Sequence, residues 1–120
     1  MLSVELPPEP ASATRARTLA RKRLEATCTD DALETVALLV TELVANAILH
    51  ARSWLRLTLE ARPAHVRICV EDGSTAEPSP RHYATDALTG RGLVLVEQLA
   101  SSWGVNTTPS GKVVWCEVPV

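Results

Sequence analysis

The stretch from Thr29 to His50 constrains this chain more than any other. Leu33, Val36, Val40, Leu43, Val44 and Ala47 recur at helical spacing and, at about 100° per residue, form one wide apolar stripe. A stripe of that width has to be buried, so the rest of the chain must supply a surface to cover it. Thr29 or Asp30 is placed to start the helix, and Asp31 and Glu34 fall in its first turn, where the dipole favours acids. Glu42 and Asn46 lie across from the stripe, four residues apart, so they project from one face into the same small volume. That spacing fits a solvated polar stripe. Their company (Leu38, Leu39, Ala45 and Leu49) fits a pocket wall instead.

The covering surface is legible as a set of alternating segments. Leu2, Val4 and Leu6 alternate with Ser3 and Glu5, and Pro7, Pro8 and Pro10 stop that strand. Ser12 is a candidate cap for a helix to about Cys28, with Ala13, Ala16, Ala20 and Leu24 at helical spacing. Its basic residues, Arg15, Arg17, Arg21, Lys22 and Arg23, fit a solvated face or a surface for a partner protein. Trp54 to Glu60 and Val66 to Glu71 alternate on either side of the turn Arg62-Pro63-Ala64-His65 and read as a hairpin. Gly73 to Thr89 is a long loop for a chain this small, and loops of that length are usually functional. Gly90-Arg91-Gly92 opens a helix from Leu93 to about Ser101. Two strands follow, near Ser102–Thr107 and Lys112–Val118, joined at Pro109-Ser110-Gly111. The expected fold class is α+β: a two-layer sandwich of a mixed, mainly antiparallel sheet with helices on one face, spanning 1–120 as one domain.

Composition narrows the function classes. The chain has 120 residues, 46% apolar and 22% charged, with a net charge of -2, so bulk charge suggests neither nucleic acid nor acidic lipid as a partner. Three Trp, one Tyr and no Phe leave Leu, Val, Ile and Ala to make the core. Cys28, Cys69 and Cys116 are widely spaced, and His50, His65 and His82 lack metal-ligand spacing. Reduced thiols, a start without the pattern of a signal peptide and no uninterrupted apolar run of about 18 residues lead to the expectation of a cytoplasmic protein without a membrane span.

Three short segments carry chemistry. Glu42 can accept a proton or orient water, and Asn46 offers a neutral oxygen of the kind a hard cation such as Mg2+ accepts beside phosphates. Asp72-Gly73 closes a strand. A carboxylate there can accept a hydrogen bond from an exocyclic amine, and Gly lets a flat ring approach; the same dipeptide also fits a plain turn. Gly90-Arg91-Gly92-Leu93 sits at a helix start, where outward N–H groups, the dipole and an Arg fork suit phosphate, although a tight turn would look the same. No Walker-type loop is present, and the spacing does not fit a dinucleotide fingerprint.

Taken in order, these segments resemble the GHKL ATPases, the group of gyrase, Hsp90, MutL and the histidine kinases. Thr41-Glu42-Leu43-Val44-Ala45-Asn46-Ala47-Ile48-Leu49-His50-Ala51 is similar to their N box, in wording closest to the bacterial anti-sigma-factor serine kinases. Asp72-Gly73 stands where that family has its adenine-contacting Asp, and Gly90-Arg91-Gly92-Leu93 looks like its second glycine box. The resemblance implies a Bergerat fold with ATP and Mg2+ as cofactors. Glu42 would be the base, Asn46 the Mg2+ ligand, Asp72 and Gly73 the adenine site, and Gly90, Arg91, Gly92 and Leu93 the phosphate lining. It further implies a protein-serine/threonine kinase that acts as an anti-sigma factor, with a sigma factor and a STAS-domain antagonist as partners and a possible homodimer. One departure is visible: Asp72-Gly73-Ser74-Thr75-Ala76 holds one Gly where the family pattern is Asp-x-Gly-x-Gly. The alternative expectation is therefore an ATP-dependent binding module without transfer. A histidine-kinase catalytic domain, which would carry a helical dimerisation segment with a phospho-acceptor His, is not expected between Met1 and Val120.

Overall fold

The computed structural model describes residues 1–51, 53–73 and 91–120, with side chains for all of these except 50, 51 and 91–93. Their order is β1 (Leu2–Leu6), α1 (Pro10–Leu24), α2 (Asp30–Ala51), β2 (Leu55–Ala61), β3 (His65–Asp72), α3 (Arg91–Leu99), β4 (Ser102–Thr108) and β5 (Gly111–Pro119). The long loop expected over Gly73–Thr89 lies, beyond Gly73, outside the described residues, as does Gly90.

The five described strands form one sheet in the order β1-β2-β3-β5-β4, and every neighbouring pair is antiparallel. The expectation of a mixed sheet is corrected by this. β3 and β4 run in the same direction, but the β4–β5 hairpin folds β5 into the space between them, so no parallel pair forms.

Because opposed residues in a ladder share a face, the register sorts the sheet into rows. On one face lie Leu2, Leu59, Ile68, Cys116 and Trp103, then Val4, Leu57, Val70, Val114 and Val105. A third row on that face runs Leu6, Leu55, Asp72, Lys112 and Thr107. The helices cover this face. Val36, Leu39, Val40, Leu43 and Val44 of α2 are buried with Leu55, Leu57, Leu59, Ile68 and Val70 in one cluster. The other face carries charge and rings: Glu5, Arg56 and Glu71 in one row, Thr58, Cys69, Trp115 and Gly104 in the next, and Glu60, Arg67, Glu117 and Ser102 in the last.

Local chemistry explains the helix ends. α1 starts at Pro10, whose fixed φ suits a first helical position, with Glu9 as the flanking residue. Ser12 is thus not the cap; its hydroxyl donates to the Pro7 carbonyl at 2.6 Å. The buried face of α1 (Ser12, Ala16, Ala20, Leu24) is mostly small, which lets it lie close against α2. α1 also stops earlier than its periodicity suggests, at Leu24. The Leu24 carbonyl accepts from the N–H groups of both Thr27 and Cys28, closing the turn into α2. Thr29 caps α2, accepting from the Ala32 N–H at 3.2 Å. Arg21 and Glu34 tie α1 to α2 through two parallel hydrogen bonds of 2.5 and 3.0 Å. By length and composition α2 could cross a bilayer; here its apolar stripe is taken up by the sheet.

Candidate functional site

α2 is the element on which the site is built. Its stripe fixes the rotation of the helix, and that rotation leaves Glu42 and Asn46 on the part that the sheet does not cover, both half-buried. Leu39, in their company on the helix, is fully buried. The same helix packs against α3, β3 and β5. The Asn46 side-chain oxygen is shielded from solvent and has no hydrogen-bond partner among the described residues. A buried amide oxygen without a partner costs about 1–3 kcal/mol, so native proteins seldom leave one unless something fills the place. A neutral oxygen held in that way suits a hard cation that still carries water and phosphate ligands.

Asp72 closes β3 on the helix-covered face and is 1% exposed. A carboxylate at that depth needs compensation. Lys112, its register partner on β5, places Nζ 3.9 Å from Asp72 Oδ2 and is itself 8% exposed. The approach depends on Gly111: a Cβ there would overlap the Asp72 carbonyl oxygen. Gly73 follows Asp72 and is pinned from the other side. Its N–H donates to Ser53 Oγ at 3.0 Å, and a Cβ on it would meet the Trp54 indole nitrogen at 2.8 Å. A flat ring does lie against Gly73, and it is the chain's own Trp54.

Arg91, Gly92 and Leu93 form the first turn of α3, and their backbone takes the expected helical form. Gly90 and the Arg91 fork fall outside what the structure describes. Among the expected site residues, the structure therefore sets Glu42 and Asn46 together on α2. It buries Asp72 beside Gly73 at the end of β3, and it starts α3 at Arg91.

Sequence reasoning passed over Lys112. Its signal was available. Lys112, Val114, Cys116 and Val118 share one phase of β5, and all four are buried. A lysine in the inward phase of an otherwise apolar strand marks a charge that must meet another inside. Among the described residues no cluster of three or more His, Cys, Asp or Glu side chains could hold a metal ion.

Comparison with known proteins agrees with this fold. The family described as the histidine kinase-like ATPase domain matches residues 6–117. Among solved structures, the histidine kinase domain from the Erythrobacter litoralis blue-light activated histidine kinase superposes with a TM-score of 0.59 at 20% identity. The match covers 95% of this chain and 61% of that one. No curated protein matches. The two-layer α+β sandwich is thus the fold of the histidine kinase-like ATPases.

Proposed function

Because the chain belongs to the histidine kinase-like ATPase family, we propose that it is an Mg-ATP-binding regulator. In this reading it is a protein-serine/threonine kinase acting as an anti-sigma factor, and its substrate is a STAS-type antagonist. The observation that carries the nucleotide half of the reading is the buried Asn46 oxygen, without a partner among the described residues, on the same helix face as Glu42. Support for the kinase half comes from the N-box wording around Thr41–Ala51 and from the half-exposed Glu42.

The residues would divide the work as follows. Asn46 binds Mg2+ through its side-chain oxygen. Asp72 accepts a hydrogen bond from the base, and Gly73 keeps the strand end slim. Arg91, Gly92 and Leu93 in the first turn of α3, with Gly90 before them in sequence, offer N–H groups and a cation to phosphates. Glu42 takes the proton from the acceptor hydroxyl, since phosphoryl transfer asks the protein for positioning and charge more than for covalent chemistry. Mg-ATP supplies the transferable phosphoryl group and the charge that neutralises it.

Thermal unfolding with and without Mg-ATP tests the pocket. Ligand at about 100 times its dissociation constant adds about 2.7 kcal/mol, enough for a midpoint rise of about 10 °C or more in a domain of this size. The rise is expected to need Mg2+ and to vanish in Asn46→Ala and Asp72→Ala. Without ligand, Asn46→Ala should keep its stability to within about 1 kcal/mol, because the oxygen removed has no partner among the described residues. Absence of any shift at millimolar Mg-ATP would refute the reading. The transfer step is tested with labelled ATP and a STAS-domain protein: Glu42→Ala should bind ATP as before and transfer nothing. Wild-type transfer by that variant would remove Glu42 from its role.

The single glycine after Asp72 favours a second reading, a binding module whose ATP sets affinity for a sigma factor without transfer. It predicts ATP-dependent complex formation with no phosphorylated product.

A further inference from the structure

A buried ion pair is an uncommon occupant of a sheet's covered face. Removing two charges from water costs several kcal/mol per ion, and apolar residues of similar volume usually serve stability as well or better. In the row Leu6, Leu55, Asp72, Lys112 and Thr107, the two central strands nevertheless carry a carboxylate and an ammonium. Both are buried, at 1% and 8% exposure, and 3.9 Å apart. Gly111 gives up its side chain at the point where β5 crosses the Asp72 backbone, and so holds them together. The arrangement is an acceptor and a cationic donor side by side, at one depth, at the end of β3.

An adenine ring presents the complement on its Watson–Crick edge. The 6-amino group is a donor, and the adjacent ring nitrogen N1 is an acceptor. We propose that Lys112 is a specificity-determining residue that donates a hydrogen bond to N1 of the adenine whose 6-amino group is held by Asp72. The proposal rests on the reading of Asp72 as the base-binding group and adds a second contact, from a residue on another strand. An ammonium has three N–H donors and a carboxylate two oxygens with about four acceptor positions, and a base would share them with the partners that each side chain has inside the protein. A site that holds a buried ammonium against N1 rejects a base lacking that acceptor, because the charge then loses a partner away from water. Guanine and hypoxanthine carry a hydrogen on N1 and would point it at the ammonium.

The test is calorimetric titration of the full chain with four Mg-nucleotides: ATP, 1-deaza-ATP, 7-deaza-ATP and GTP. Replacing N1 by C–H is expected to weaken binding about 10–100-fold, the range for a lost charge-assisted hydrogen bond. The same change at N7, away from the edge, is expected to leave affinity as for ATP, and GTP should bind more weakly than ATP. Lys112→Met should bind ATP and 1-deaza-ATP alike, with its fold checked by circular dichroism. Equal wild-type affinities for ATP and 1-deaza-ATP would overturn the role of Lys112 while leaving ATP binding intact. GTP bound more tightly than ATP would overturn it as well, since the ammonium would then be reading a keto oxygen. Binding of none of the four would overturn both this inference and the nucleotide-binding reading beneath it. The wild-type comparison stands even if Lys112→Met does not fold.

Discussion

At the scale of single residues, the site depends on two kinds of absence. One is the lack of a partner for the Asn46 oxygen among the described residues, and the other is the absent side chain of Gly111. The second makes a clean prediction. In Gly111→Ala the added methyl would overlap backbone, which cannot swing aside as a side chain tip can. The variant is expected to lose about 2–4 kcal/mol in urea unfolding, well beyond an ordinary glycine-to-alanine change in a strand. It should also weaken Mg-ATP binding, because the strand ends that carry Asp72 and Lys112 are forced apart. A second residue-scale feature concerns the thiols. Burial pushes the Cys116 thiol up to about 12, with nearby Cys69 adding to the rise, so it stays protonated and inert at neutral pH. Cys28 and Cys69 are half-buried by contrast.

At the scale of elements, the uncovered face of the sheet is held by a charge lattice. Glu117 on β5 accepts from Ser102 Oγ at 2.8 Å and from Arg67 at 3.2 Å. His65 Nε2 lies 3.0 Å away, off the line of a hydrogen bond. The guanidinium of Arg67 also stacks 4.4 Å from the Trp115 ring centroid. Ser102 first, then Arg67 and His65, hold the Glu117 carboxyl below its ordinary value of 4.5. A carboxyl whose folded value is depressed adds stability that is fully present above its unfolded value and is lost as pH falls through the folded one. Glu117→Gln is therefore expected to lower the urea midpoint at pH 7, and the gap to wild type should close as pH drops below about 4.5. A gap that persists at pH 2.5 would assign the effect to hydrogen bonding rather than to charge.

The elements also show how far the sequence was readable. β1 and α2 were legible because period and punctuation coincide: alternation ended by Pro7, and an apolar stripe preceded by Thr29. The extent of α1 was not, since Pro10 serves as a first helical residue rather than a breaker and Ser12 bonds backwards to Pro7. The purely antiparallel sheet was hidden too, because local pattern does not say that β5 inserts beside β3. Within the site, Glu42, Asn46 and Asp72 stood out by residue type and spacing. Lys112 offered only its inward phase on β5, and its meaning lies in a register partner 40 positions away.

At the scale of the whole molecule, the strand order departs from the chain order at one place. β5, written last, is interior; β4, written before it, is the edge. β5 donates and accepts on both sides and supplies Val114, Cys116 and Val118 to the core. A chain stopped after Thr108 is expected to lose the cooperative unfolding transition altogether, as followed by circular dichroism in urea. Retention of a cooperative transition would mean that β1, β2, β3 and the helices form a core without it.

The same placement has a consequence in time. Domains emerge from synthesis N-terminal end first, and contacts between distant positions close late. Asp72 waits through the whole of α3 and β4 for the strand that brings Lys112. A nascent or partly unfolded copy would therefore carry Glu42, Asn46 and Asp72 and still lack the lysine that pairs with Asp72. On the proposed reading, affinity for nucleotide would be the last property the chain acquires and the first it gives up, so that an unfinished molecule is silent rather than wrongly active.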